Sequence, residues 1–305
     1  MPRSNNETKK DIELNFTNKI VEMLETAEKK NIAPLWHKST ANGMPLRANG
    51  QQYKGVNVLM LWLDMMVNGW SSNTYMTFKQ ANTLGAKVKK GSESTSVVFY
   101  KSLPITEKDA NGVETTKTIP MLKSYNVFNL DQIEGLPEKF SVECKLEDYE
   151  PLVGRNELAD KYIENTGAKI TYGGNRACYI PSIDAIRVPQ FEDFKTVEGF
   201  YSVALHELVH WTMTKERCDR NMEGSKRFGG KGYATEELVA ELGACFGLAR
   251  LGIATEPRQD HANYIANWLT ALKNDKKFIF TASAKASQAI DYLDTLQENE
   301  LKMVA

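Results

Sequence analysis

The sequence predicts an α+β chain of two domains: a small mixed domain over residues 1–135 and a mainly helical domain with a small β-sheet over 153–305, joined by a linker at 136–152. Three observations predict this. The chain has 305 residues, more than one hydrophobic core usually organises. A stretch at 134–152 gathers Gly135, Pro137, Pro151 and many acidic side chains, the composition of a connector rather than of a core element. Helical periodicities at both ends of the chain enclose short strand candidates in each half.

The elements follow in order. Ile12, Phe16, Ile20, Met23, Leu24 and Ala27 recur at steps of three and four, which predicts an amphipathic helix over 8–30 ended by Pro34. Gly43, Pro45, Gly50 and Gly55 predict a loop over 37–55. Residues 56–67 are apolar almost all round, from Val56 to Leu63, so the helix they form should be buried. A short helix is expected at 77–84, then a basic turn between Gly85 and Gly91. Strand candidates are 97–100 and 125–129. Between them Pro104, Asn111-Gly112 and Pro120 predict a hairpin or a loose excursion. Beyond the linker come a helix at 155–166, the turn Tyr172-Gly173-Gly174, and a strand or hairpin over 177–188 with Asp184 near its turn. Helices at 196–214 and 233–251 flank a Gly-rich, charged loop, and two more are expected at 257–273 and 282–298.

Composition is that of an ordinary globular chain, 42% hydrophobic and 25% charged. The net charge of −1 says nothing about partners. Met1–Asp11 is polar without an apolar export segment, and no run approaches a membrane span. The four cysteines (144, 178, 218 and 245) form no CxxC pair, so thiols rather than disulfides are expected. A cytoplasmic protein without membrane contact is the resulting expectation.

Chemistry concentrates in His206-Glu207-Leu208-Val209-His210. Residues four apart share a helix face, so both imidazoles can reach one tetrahedral zinc. Glu207 sits one step round, placed as a general base for the water that the zinc acidifies. The competing reading is a pair of histidines that merely share a face. It is weakened by apolar neighbours such as Phe200, Val203 and Leu208, which would make an unpaired buried pair costly. Two histidines and a carboxylate favour zinc over manganese or cobalt.

A third ligand is needed, and Glu236-Glu237-Leu238-Val239-Ala240-Glu241 offers it on the next helix. Zinc hydrolases of the gluzincin type carry a similar Glu-x-x-x-acid pair. That resemblance implies Glu237 as the ligand and Glu241 as the partner of a ligand histidine or an alternative ligand, with Glu236 the more exposed carboxylate. By the same analogy the 177–188 strand would receive an extended peptide along its edge. Tyr233 and His261 are weaker candidates for contacts in the transition state, since such residues are more often core or cap contacts.

Charge is uneven in the N-terminal half. From Trp36 to Lys101 there are eight basic residues against two acidic, a net of +6. Aromatic residues are interleaved with them. Lysines that track phosphates and rings that stack bases suit single-stranded nucleic acid, whereas the bland reading is a solvated basic face over core aromatics. The candidates are Arg47, Tyr53, Lys54, Tyr75, Phe78, Lys79, Lys87, Lys89 and Lys90.

Several blocks recur in one order along nearly the whole chain: Tyr53 to Trp62, Tyr75 to Ala81, Leu84 to Gly91, Val97 to Tyr100 and Tyr125 to Leu136, then Ala204 to His210, Tyr233 to Glu241 and Tyr264 to Trp268. Together they resemble the ArdC antirestriction proteins, and the first five also resemble TraC-type plasmid primases. The resemblance implies a single-stranded-DNA-binding N-domain joined to a zincin-like metallopeptidase domain. Such proteins travel on plasmids and other conjugative elements and protect incoming DNA, and the implied protein substrate would be a DNA-bound restriction or repair enzyme. The alternative is a non-proteolytic protein that coats single-stranded DNA and uses zinc as a structural ion.

Overall fold

Helices with no continuous polar face must be surrounded, and the fold is built around such helices. A computed structural model describes residues 11–29, 43–108, 114–140, 152–220, 231–254, 273 and 275–297. The described helices are α1 (Ile12–Lys29), α2 (Val56–Asn68), α3 (Phe78–Thr83), α4 (Glu157–Glu164), α5 (Val197–Trp211), α6 (Lys231–Arg250) and α7 (Phe278–Thr295). The expected helix at 257–273 and the strand-connecting residues 109–113 fall outside the described set, apart from Lys273, and so does His261.

Helix α2 is buried from Val56 to Met65 without interruption, as its all-round apolar sequence requires. It stops at Gly69, whose left-handed φ of 71° lets its N–H reach back to the Met65 carbonyl. The short α3 starts on a reciprocal cap between Thr77 and Gln80. Three sheets accompany the helices. The first has strand order β1-β2-β5-β4, from β1 (Leu46–Arg47), β2 (Thr74–Met76), β4 (Thr95–Lys108) and β5 (Glu114–Asn129). The second pairs β3 (Lys87–Val88) with β6 (Ile133–Glu134). The third has order β7-β9-β8, from β7 (Lys169–Tyr172), β8 (Cys178–Ile180) and β9 (Ala185–Val188).

Of the two readings of the segment between the first strands, a hairpin or a loose excursion, the structure has the hairpin. The strand candidates at 97–100 and 125–129 are the base of a hairpin that runs on through Lys108 and Glu114 in continuous register. Pro104 and Pro120 read as breakers, yet both sit within it. Strand β4 is an edge of its sheet, and β5 pairs with β2 only at Phe128 and Asn129. Each proline therefore lies where one side of the strand needs no ladder donor.

The two halves share a core. Trp62 of α2 packs 5.8 Å from Phe246 of α6, and Phe16 of α1 lies 5.5 Å from Phe280 of α7. Polar ties cross at the same place: the Gly55 N–H donates to Ser287 Oγ, and Thr17 Oγ1 donates to the Lys276 carbonyl. Helix α6 packs against both α5 and α7. The third sheet lies over α5, which places the edge strand β8 beside the histidines.

Candidate metal centre

Helix α5 begins where Thr196 accepts a hydrogen bond from the Gly199 N–H, and it buries Phe200, Tyr201, Ala204, Leu205, Leu208 and Val209. His206 and Glu207 are thereby buried, and His210 is partly buried beside them. Helix α6 can approach because Gly243 faces Val209. A β-carbon at Gly243 would stand 2.6 Å from Val209 Cγ2, so the close approach depends on its absence. Gly247, one turn on, faces Leu205 in the same way at 3.3 Å.

This approach brings Glu237 to the histidines. Its Oε2 is 3.6 Å from His206 Nε2, and its Oε1 is 3.6 Å from His210 Nε2. The two Nε2 atoms face each other at 3.1 Å. Ligand atoms of His206, His210 and Glu237 lie within 4.8 Å of one another. A tetrahedral zinc holding each nitrogen at about 2.0–2.1 Å would separate two of them by roughly 3.3 Å, so the residues present fit such an ion. The wider surroundings agree. Among the described residues four carboxylates (Glu207, Glu236, Glu237 and Glu241) gather here, against the guanidinium of Arg220 paired with Glu236 and that of Arg176 near Tyr233, a surplus of acceptors that suits a cation.

The outer nitrogens point to carboxylates as well. His206 Nδ1 is 3.6 Å from Glu241 Oε1, and this buried nitrogen has no hydrogen-bond partner at ordinary distance among the described residues. His210 Nδ1 is 3.4 Å from Glu236 Oε1. Sequence makes Glu236 the exposed acid of its pair, and the structure corrects this: it is 5% exposed and ion-paired to the buried Arg220. Adjacent positions on a helix differ by about 100°, and α6 lies so that both Glu236 and Glu237 fall on the side facing α5.

Electrostatics follow the geometry. Burial would raise Glu237, but the hydrogen bond from His206 and the two imidazoles' charge pull it down to about 2. Burial likewise pushes against Glu236, while His210 and Arg220 hold it below the usual carboxylate range. His210 is raised: burial disfavours its charged form, and the Glu236 hydrogen bond with the Glu237 charge outweighs that. Tyr233, one turn before Glu237, hydrogen-bonds to that carboxylate, and burial plus the carboxylate push its hydroxyl up to about 12.

Glu207 accepts a hydrogen bond from the Tyr179 backbone N–H at 2.8 Å. Strand β8 is an edge, and Tyr179 thus turns its amide from β9 toward the histidine helix. The β8–β9 turn is pinned to the end of α5. Asp184, at a left-handed φ of 46°, accepts from Nη1 and Nη2 of Arg217 at 3.0 and 2.5 Å, and Arg217 stacks 3.6 Å over Trp211. No sequence signal pointed to Arg217, Arg220 or the Tyr179 amide.

The N-terminal candidates separate into two groups. Phe78, Lys79, Lys87, Lys89 and Lys90 are exposed along α3, β3 and the turn after it. Tyr53 and Tyr75 are core residues. Tyr75 is 0% exposed and donates its hydroxyl hydrogen bond to Asp64, while Tyr53 is covered by the Arg47 guanidinium 5.1 Å from its ring. Neither ring has a free face for a base, which corrects the expectation for both. Lys54 is paired with Asp291 of α7 at 2.7 Å, away from the other lysines. Phe99 and Tyr100 on β4 are exposed rings outside the predicted set.

Residues 10–128 match the family described as the N-terminal domain of the anti-restriction factor ArdC, and residues 157–285 match the family described as zincin-like metallopeptidase. The chain is 34% identical over 299 residues to the "Uncharacterized protein y4eC" of Sinorhizobium fredii, covering 96% of this chain and 94% of that one. It is 33% identical over 308 residues to the DNA primase TraC of Escherichia coli, where the match spans 94% of this chain but 28% of the primase. Among solved structures, the metal-free antirestriction protein ArdC of plasmid R388 superposes with a TM-score of 0.76 at 37% identity, over 94% of this chain and 97% of that one. Its Mn(II)-bound form gives a TM-score of 0.76 at 36% identity, over 95% and 99%.

Proposed function

The chain belongs to the ArdC family of antirestriction proteins, and from that premise we propose that it is a metal-dependent peptidase brought to its substrates by single-stranded DNA. The observation that carries the reading is the convergence of His206, His210 and Glu237 on one point, with Glu207 on the same helix beside the first two. Zinc best suits two imidazoles and a carboxylate, although the related plasmid protein was crystallised with Mn(II). When bound, such a cation supplies Lewis acidity to a peptide carbonyl and to water.

The chain's own residues do the rest. His206 and His210 present their Nε2 atoms, and Glu237 would be the third side chain to hold the cation. Glu207 takes the proton of the attacking water and returns it to the departing amine. The Tyr179 N–H orients that carboxylate. An extended peptide laid along the β8 edge would run past Glu207 in a fixed direction. Substrates would be proteins bound to DNA, restriction or repair enzymes among them.

The DNA-binding part of the reading rests on the match to the ArdC N-terminal domain and on the exposed run Phe78, Lys79, Lys87, Lys89 and Lys90. It includes the division into 1–135, the linker 136–152 and 153–305, with the two family matches falling on either side of residues 129–156. Among the described residues no helix is long and apolar enough to cross a membrane, in keeping with action in the cytoplasm on incoming DNA.

The test compares wild type with Glu207→Gln for metal content and for cleavage of a DNA-binding protein, with and without single-stranded DNA. The expected result is one divalent ion in each, cleavage by wild type alone, and faster cleavage with DNA. Metal in both with cleavage by neither would favour the alternative, a DNA-coating protein whose metal is structural.

A further inference from the structure

The carboxylate that faces the outer nitrogen of His210 is held by a buried guanidinium. Arg220 lies in the chain beyond α5, nine residues past Trp211, and its side chain is almost completely buried. Its Nη2 donates to Glu236 Oε1 at 2.8 Å and its Nε to Glu236 Oε2 at 3.3 Å, a two-point grip on one carboxylate. The same Nη2 donates to the Val209 carbonyl at 2.6 Å, and Nη1 donates to Thr212 Oγ1 at 2.7 Å. Val209 and Thr212 flank His210 at the end of α5. One guanidinium therefore ties the end of the histidine helix to the carboxylate that faces His210 Nδ1.

We propose that Arg220 and Glu236 are a positioning pair for His210: Glu236 receives the Nδ1 hydrogen, which leaves the Nε2 lone pair turned toward Glu237 and a divalent cation, and Arg220 fixes Glu236 in that place. The inference rests on the metal-centre reading above. A neutral imidazole carries one hydrogen, and its position decides which nitrogen can ligate. Both nitrogens of His210 face a carboxylate, Nδ1 at 3.4 Å and Nε2 at 3.6 Å, but a cation held by Glu237 would need the Nε2 lone pair, and the hydrogen then falls to Nδ1, where Glu236 accepts it. Metal-ligating histidines generally have such an outer partner, and its loss weakens metal binding.

A purely structural role makes a different prediction. If Arg220 only capped the end of α5, removing Glu236 would lower stability and leave metal affinity alone. A buried guanidinium stripped of its counter-charge could also unfold the chain, so two variants are needed. The first is Glu236→Gln, which keeps size and one acceptor. The second is Arg220→Met combined with Glu236→Gln, which removes both charges together.

The experiment titrates zinc into the metal-free full chain against a competing chromogenic chelator. Nitrogen-15 NMR of the imidazoles, recorded without metal and at a pH high enough that the His210 ring is neutral, reads its ring form directly. The expected result is about a 10–100-fold weaker zinc affinity in both folded variants, together with appearance of an Nε2-hydrogen form of His210 that wild type lacks. Zinc affinity within about threefold of wild type in both folded variants, with the ring form unchanged, overturns the proposal. A wild type that takes up no stoichiometric zinc, or a His206→Ala chain that binds as tightly as wild type, instead overturns the metal-centre reading itself.

Discussion

Helices α2 and α5 are both buried and both carry polar side chains into the interior, but they treat them in opposite ways. In α2, Asn57 exchanges two 2.8 Å hydrogen bonds with the Val98 backbone, so that its amide is engaged by strand β4. Asp64 of the same helix accepts from Tyr75 at 2.9 Å, Thr95 at 2.6 Å and Asn68 at 3.1 Å. In α5, two imidazole nitrogens confront each other at 3.1 Å, and among the described residues His206 Nδ1 has no partner at hydrogen-bonding distance. Burial of a polar group therefore marks nothing by itself. A satisfied group such as Asn57 holds the fold together, whereas converging groups left short of partners mark a place built for something else.

The largest test of this contrast pairs one change from each helix. His206→Ala should cost at least about a hundredfold in divalent-metal affinity, because the proposed site would lose one of its three protein ligands, with only a modest change in metal-free melting. Asn57→Ala should do the reverse. It strands the Val98 N–H and carbonyl in the interior, at about 2–3 kcal/mol of stability, and leaves metal affinity unchanged. Chelator competition and denaturant unfolding read the two quantities, and a crossed result would abolish the distinction.

A smaller effect is expected where α5 meets α6. Gly243→Ala forces a methyl against Val209 and should destabilise by about 1–3 kcal/mol, while weakening metal binding by moving Glu237 away from the histidines. Adding Val209→Ala should restore part of both. Failure of that rescue would show that the helix spacing is not what places the ligand.

The pH dependence of the metal-free chain sharpens the contrast further. Glu237 is lowered from 4.5 to about 2, so its contribution is present above pH 4.5 and fades as the pH falls toward 2. His210 is raised above 6.5, so its contribution is complete below pH 6.5 and fades as the pH climbs through its folded value. Stability should therefore have a plateau between pH 4.5 and 6.5, and Glu237→Gln should flatten both limbs. Bound metal should remove the alkaline limb, because ligand histidines must be unprotonated. Equal pH profiles for wild type and Glu237→Gln would refute the coupling.

The smallest effect concerns the exposed lysines. Replacing Lys87, Lys89 and Lys90 by alanine should weaken single-stranded DNA binding. The slope of log affinity against log salt should fall by up to about 0.7 for each phosphate that the variant no longer neutralises. Lys54→Ala, which only breaks a tie to Asp291, should leave the slope unchanged. An unchanged slope in the triple variant would take that turn out of the DNA surface.

Local pattern was enough for much of this molecule. The all-round apolar run from Val56 to Leu63 required a buried helix, and a buried helix is there. The four-residue spacing of His206 and His210 placed both on one face, and the structure sets their nitrogens together. These properties were legible because they depend on a single helix and its 3.6-residue period. The outer part of the β4–β5 hairpin was legible only as one of two possibilities, a hairpin or a loose excursion, since it is held by pairing between distant positions rather than by a pattern of its own. Tyr53 and Tyr75 misled for a related reason: an aromatic among lysines looks the same whether it faces solvent or core.

The sequence alone thus determined the elements and the chemistry each one carries: a histidine helix, an acidic helix, a basic turn. Tertiary packing decided which acid serves which histidine. The roles of Glu236, Glu237 and Glu241 depend on the rotation and spacing of α6 against α5, and these are set by the missing side chain at Gly243 and by Arg220 reaching across from outside both helices. A helical period fixes relations within one helix; the phase between two helices exists only once they touch.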